Sequence, residues 1–444
     1  LAVMDASAAQ SALRSLTFDP TENRVAPGAT ETTVFTIAVS DGLAASSNNN
    51  ASAIATSIND MPLIVMDDSS IPFALGGSED DSTYDIALDG DDNIVMAGYY
   101  NDVIDMDPGP GTNALANPYD DTQSFVAKYD ASGALLWAHG VGGDGSDERA
   151  VDVAIDTNGY IYVTGQFEGT ADFNGTNLTA TTIGGDDNDD VDTFVWKLCP
   201  TGATVWVRQL TGGHDNDDCG RGIAVRGSSV YIVGAFSETT DFDPGAGAFE
   251  MTPFADSNDE DVFLLKLTTD GGFLWARQLG SDDNDDGYAV GTDPDGNVVI
   301  GGCLTADGDG WDLDGDGSAD MDPNNPGGSD GAYSDDDGDV GFVVKYDGDG
   351  NALWRRFFFA TDGCGDGDDS RVSDLKVDDS GNVHAVGAFD WGIDFNPDLD
   401  TLNAEEMDED NHGFMVKLDA NGDYQWHKRF GADADEDGDD ITID

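Results

Sequence analysis

The sequence predicts an all-β fold built from one repeated unit, and two observations carry that prediction. Trp137, Trp206, Trp275, Trp354 and Trp426 step by 69, 69, 79 and 72 residues, and Lys128, Lys197, Lys266, Lys345 and Lys417 step identically. A step shared by two independent positions marks a structural repeat. Within each unit, four short apolar runs are separated by turn residues, which is the signature of strands joined by tight links. Four antiparallel strands repeated around an axis make the blade of a β-propeller.

The second unit shows each element in order. Strand a is "VDVAID" and strand b is "YIYVTGQF", joined by "TNG". After a long acidic loop come strand c, "TFVWKL", the turn "CPTG", and strand d, "ATVWVRQL". The a–b and c–d links are hairpin-sized. Strand a recurs six times, at Asp85–Asp89, Asp152–Asp156, Gly222–Arg226, Ala289–Asp293, Asp374–Asp378 and Asp440–Asp444. A sixth c–d hairpin is read at Pro62–Gly77, with Phe73 in the Trp position. The final strand and the early hairpin therefore read as parts of one split blade. Six blades are expected, closed by pairing both chain ends, which removes free sheet edges. Strand b of the split blade has no match. It could lie beyond Asp444, come from the segment holding Ile54, Thr56 and Ile58, or be added by a neighbouring chain.

Runs such as "SFVAKYDASGALLWAHGVGG" and "VFLLKLTTDGGFLWARQLGS" resemble the bacterial β-propeller repeat family (SBBP repeats), from about Pro62 to Asp444, with five units matching well. The resemblance implies a propeller in secreted or surface-exposed proteins and no particular chemistry. Residues 1–61 do not fit the repeat. "LTFDPTENRVAPGATETTVFTIAVSDG", closing on "SINDMP", resembles the second half of a bacterial cadherin-like or immunoglobulin-like module. Half a module cannot form a sandwich alone. It is expected as a β-rich arm that rests on the propeller or completes its sheet on another subunit. The expected domains are thus an arm over 1–61 and a propeller over 62–444.

Composition narrows the function. The 444 residues carry 90 acidic against 18 basic side chains, a formal charge of −72. A nucleic-acid surface and electrostatic docking to an anionic membrane are both disfavoured. No apolar run approaches the roughly 20 residues of a membrane-spanning helix. The chain starts at Leu1 without a leader pattern, so it reads as a mature product or a piece of something longer. The four Cys match no zinc spacing. Such a charge repels itself in the compact state, so bound cations or high salt are needed to offset it.

The acids cluster in the b–c and d–a connections, which emerge on one face of a meander. "DLDGDGSAD" places Asp312, Asp314, Asp316 and Asp320 around Gly317, resembling calcium loops of the dockerin and thrombospondin type. Alternating carboxylates supply the many oxygens a hard cation requires, and glycine permits the sharp turn. Asp322 follows directly. Shorter D-x-[DN] turns occur at Asp105 and Asp107, Asp172 and Asn174, Asp241 and Asp243, and Asp394 and Asn396. Several calcium ions are the expected cofactors, against the plainer reading that Asp, Asn, Pro and Gly simply suit turns. Sequons mark Asn177 and Asn50 as weak glycan candidates, with Asn177 preferred over the neighbouring Asn174, which falls in a D-x-[DN] turn.

No catalytic constellation is visible. The "S-x-D-x-G-x-T-W" box of sialidase propellers is absent, since "DASGALLW" and "DANGDYQW" are spaced differently. With 90 acids, any carboxylate pair is available and none is informative. The expected function is that of an extracellular, calcium-binding structural protein. It would self-associate into a surface filament through the N-terminal arm by strand addition. The alternative is a module of a larger adhesin or ligand-binding surface protein.

Overall fold

The computed structural model describes residues 34–40, 45–52, 75–77, 79–117, 121–143, 148–181, 191–212, 218–254, 259–281, 283–306, 338–358, 370–390, 392–395, 405–406, 412–430 and 438–443. The chain falls into two compact units, Leu1–Phe73 and Ala74–Asp444. In the first, strand Val34–Ser40 pairs antiparallel with Ala45–Ser52. A bulge interrupts the register between Phe35 and Ile37. Residues 62–74, read as most of the sixth c–d hairpin, lie outside the described residues.

The second unit is all-β and propeller-like. Among the described residues its strands form five antiparallel meanders, each ordered a-b-c-d. Repeat 1 comprises Asp81–Leu88, Ile94–Tyr100, Gln123–Tyr129 and Leu135–Gly143. Repeat 2 comprises Arg149–Ile155, Ile161–Glu168, Val191–Leu198 and Thr204–Leu210. Repeat 3 comprises Cys219–Arg226, Ser229–Phe236, Asp261–Thr268 and Phe273–Leu279. Repeat 4 comprises Asp286–Thr292, Val298–Ala306, Gly338–Tyr346 and Ala352–Phe358. Repeat 5 comprises Ser370–Val377, Val383–Phe389, His412–Leu418 and Tyr424–Arg429.

Side chains alternate between the two faces of each sheet, so both faces can be buried only if sheets stack. They do. Val298 and Ile300 of repeat 4 pack with Val262 and Leu264 of repeat 3. Val299, between them, packs instead with Leu375 and Val416 of repeat 5. The other two core clusters join repeats 1 and 2 and repeats 2 and 3 in the same way.

The repeated Trp and Lys lock each meander to the next. Trp137, Trp206, Trp275 and Trp354 donate from Nε1 to the carbonyls of Pro200, Thr269, Gly348 and Ala420, at 3.1–3.2 Å. Each acceptor lies in the c–d turn of the following repeat. Lys197, Lys266 and Lys345 reach the same carbonyls at 2.7, 2.6 and 3.2 Å. Arg208, Arg277 and Arg356 donate from Nε to the carbonyls of Gly271, Gly350 and Gly422. Lys128, Lys345 and Lys417 pair with the carboxylates of Asp89, Asp293 and Asp378. The three arginines serve chiefly the backbone, because a guanidinium lying along a turn can satisfy carbonyls that would otherwise be buried unpaired.

The turn glycines make this contact possible. Gly422 has φ +82, and an added Cβ would lie 2.7 Å from the Trp354 ring. Gly422→Ala should therefore cost about 1–2 kcal/mol from the left-handed backbone alone. The Trp354 overlap adds to this, and the sum reads out as a lower urea midpoint.

The connections differ from expectation in two places. The b–c links, read as acidic loops, contain small ribbons: Ile104–Asp105 with Ala114–Leu115, Thr170–Asp172 with Asn177–Thr179, Thr240–Asp241 with Glu250–Met251, and Gly392–Ile393 with Glu405–Glu406. Each strand is two or three residues long, too short for an alternation pattern to register. The chain end was expected as a sixth strand a. Residues 438–443 follow repeat 5, with Ile441 donating to Asp374 at 3.0 Å, but they form no ladder among the described residues. A ladder needs a strand b beside it, and the sequence offers no repeat match for one.

Candidate functional site

The D-x-[DN] turns sit at the tips of the ribbons, and their residues are brought together in pairs. Asp105 Oδ1 accepts from the amides of Asp107 and Asn113 at 3.1 and 2.8 Å, and Asp107 Oδ1 accepts from Gly109 at 2.8 Å. Asp241 and Asp243 repeat this with Asp243, Phe249 and Gly245 at 3.0, 2.8 and 2.9 Å. Asp172 Oδ1 accepts from Gly175 at 2.6 Å, and Asn174 donates to the Gly202 carbonyl at 3.3 Å. Asp394 is buried. One oxygen of each capping carboxylate thus organises the turn, as Asx turns do.

The residue in the middle of each D-x-[DN] turn was overlooked in the sequence, although it is apolar in all four. Met106, Phe173, Phe242 and Phe395 are at most 2% exposed and plug the core beneath each turn. Phe173 meets Phe194 and Trp196 at 4.8 and 5.7 Å, and Phe395 meets Phe414 at 5.1 Å.

Among the described residues, no three or more His, Cys, Asp or Glu converge as a metal site. Each described turn offers at most two carboxylates, so a calcium ion there would need backbone carbonyls or water for its remaining oxygens. Asp312, Asp314, Asp316, Asp320, Asp322 and Asn396 lie outside the described residues, as does the side chain of Asn50. Asn177 opens the second ribbon strand of repeat 2 and is exposed, as a glycan acceptor must be.

A second acidic cluster, unforeseen as a site, lies on the axis. The inner strands line a channel of about 610 Å³ together with residues 439–443. Strand a carries Asp at one equivalent position in three repeats, and each carboxylate crosses to the next inner strand. Asp85 accepts from the Val153 amide at 3.0 Å, Asp152 from Ile223 at 2.5 Å, and Asp374 from Ile441 at 3.0 Å. Gly222 and Ala289 occupy the position in repeats 3 and 4. Lys376 bonds both oxygens of Asp374, at 3.0 and 3.1 Å.

The channel is electrostatically strained. Burial, with the neighbouring Asp85 carboxylate, pushes Asp152 well above the usual carboxylate range. Burial raises Asp374 to about 7, even against the pull of Lys376. Burial works against the charge on Lys376, but Asp374, Asp152 and Asp440 together push its pKa up. More buried acids lie between the meanders. Burial lifts Asp192 to about 6 and Asp218 to about 7, and raises Asp285 well above its ordinary value.

Comparison with known proteins adds a coarse placement. No family model matches the chain. An uncharacterized WD repeat-containing protein of Acanthamoeba polyphaga mimivirus is 25% identical over 257 residues. The match covers 49% of this chain and 17% of that relative, so the chain spans less than a fifth of the relative's length. A protein of unknown function from Bacteroides caccae, known from its crystal structure, is 9% identical. It superposes over 79% of this chain and 82% of its own with a TM-score of 0.34, too low to transfer a fold. The repeat spacing, the antiparallel meanders and the WD repeat-containing relative agree on a repeat, propeller-like family.

Proposed function

We propose that the chain is a non-catalytic, calcium-binding structural protein of the cell exterior, built on a six-bladed propeller of the SBBP type that both chain ends close. The observation that carries the reading is an uneven exposure of equivalent residues. Val153, Ile223, Val290 and Leu375, one position after the axial Asp site, are 4, 4, 8 and 0% exposed, and Ile441 is 6% exposed. Each is covered by the preceding meander. Ile86, their counterpart in repeat 1, is 41% exposed, and Leu88 is 58% exposed. Repeat 1 thus presents an apolar face where a preceding blade belongs.

The occupant we assign is the hairpin over 62–77 with the chain end over 438–444. Gly76 supports this assignment. It bridges to Asp105 of the repeat 1 ribbon, as Thr211 of repeat 2 bridges to Asp241 of the repeat 3 ribbon. By the same repetition, Asp440 would accept from the Ile86 amide, completing the series begun by Asp85, Asp152 and Asp374.

The N-terminal unit supplies the assembly role. Among the described residues, its two strands pair only with each other, and a lone two-stranded sheet is marginal in water. In this reading the 1–61 arm completes its sheet on a neighbouring subunit, giving a filament. Calcium sits chiefly in the Asp312–Asp322 loop and offsets the charge on the acidic face.

Electron microscopy of the native material with and without a calcium chelator tests this reading. Filaments that fray on chelation, and single particles after removal of residues 1–61, are expected. Single particles under every condition would favour the module of a larger surface adhesin instead.

A further inference from the structure

Repeat 1 departs from its sisters at one interior position, and the departure opens a cavity. In repeats 2 and 3, Phe167 and Phe236, at the end region of strand b, pair opposite Asp192 and Asp261. Those carboxylates are held by Gln209 and Gln278 on strand d. In repeat 1 the same places hold Tyr100, Gln123 and Gly140. Gly140 replaces the glutamine, and a Cβ there would lie 2.6 Å from the Tyr100 hydroxyl. A Cβ on Gly142 would lie 2.3 Å from the Gln123 side chain. The space left is a cavity of about 420 Å³, bounded on its far side by Asp172 and Asn174 of the next ribbon.

Its polar groups are buried but poorly satisfied. Tyr100 is 1% exposed and Gln123 4%. The phenol reaches Gln123 Oε1 only at 3.5 Å, and Gln123 Nε2 reaches Asp121 only at 3.4 Å. Buried polar groups normally make closer bonds than these. The setting is negative. Among the described residues, no Lys, Arg or His lines the cavity, while Asp172 does. Burial, then the charges of Glu148 and Asp121, push the Tyr100 phenol up to about 12.

We propose that this cavity binds a small organic ammonium compound, whose N–H groups would donate to Asp172, to Gln123 Oε1 and to the Tyr100 oxygen. The volume suits a short amine rather than a bare ion. The long contacts around Tyr100 and Gln123 are those of a site awaiting a donor, and a charged donor gains most there.

The test is calorimetric titration of the full chain with 1,4-diaminobutane in about 0.15 M salt, which screens loose binding to the acidic surface. One saturable site is expected. The double variant Tyr100→Phe/Gly140→Gln installs the residues that repeats 2 and 3 already use, so its melting temperature should hold. Its affinity should fall about 10-fold or more, the scale of one charge-assisted hydrogen bond. Asp172→Asn, at an exposed ribbon position, should weaken binding comparably and serves if the double variant is unstable. Equal isotherms for wild type and variants, or tighter binding of the neutral polyol erythritol, would overturn the proposal.

Discussion

Trp196→Ala is expected to lower the unfolding free energy by about 3–5 kcal/mol, the range for emptying a buried indole site. Trp196 is fully buried between repeats 1 and 2. Its Nε1 donates to Thr204 Oγ1 at 3.1 Å, and Thr204 in turn holds the Phe173 carbonyl at 3.1 Å. The ring also meets Phe173 edge-on at 5.7 Å. Removing it leaves a cavity, takes the donor from the Thr204 hydroxyl and loosens the plug beneath the Asp172 turn. Urea titration followed by tryptophan fluorescence measures the effect. A loss under about 1 kcal/mol would mean that neighbouring repeats collapse into the space.

The second large effect is on pH dependence. Burial pushes Asp192, Asp218 and Asp374 up to about 6, 7 and 7 in the folded chain, from 3.8 ordinarily. A carboxyl whose folded pKa is raised binds more protons folded than unfolded, so stability falls as pH rises from about 4 to 7. Asp192 and Asp218, both nearly inaccessible, contribute on the order of 3 kcal/mol each across that window. Other carboxylates run the opposite way. Burial alone would raise Asp89 and Asp378, but hydrogen bonds, including those from Lys128 and Lys417, hold both well below the usual range. Their stabilisation is present at neutral pH and disappears in stronger acid. In calcium-free buffer the melting temperature should therefore peak near pH 4–5 and fall toward pH 8. A flat profile between pH 5 and 8 would show that the buried acids ionise without cost.

Much of this architecture was legible in the sequence because repetition averages out local ambiguity. The Trp and Lys series marked strands c and d, and the hairpin turns followed from their Gly residues. The chemistry of those series was less legible. Trp206 and Arg208 both end on backbone carbonyls of the next repeat, a partner that no spacing reveals. Met106, Phe173, Phe242 and Phe395 were hidden because each sits between Asp or Asn residues that drew the reading toward metal chemistry. The axial Asp85, Asp152 and Asp374 were visible as repeated letters. That they cross between strands needed the geometry of neighbouring meanders. The cavity at Tyr100 was readable only once Gly140 could be set in register with Gln209 and Gln278.

The central claim is closure of the ring by both chain ends, and hydrogen exchange resolved to single amides tests it most directly. The amides of Val153, Ile223 and Ile441 are each held by an axial carboxylate. Closure predicts that the Ile86 amide is protected to the same degree as Val153, and that Asp440→Ala or truncation before Gly438 abolishes this protection while leaving Val153 unchanged. Rapid exchange at Ile86 in the intact chain, with Val153 protected, would contradict closure and leave repeat 1 with an open face.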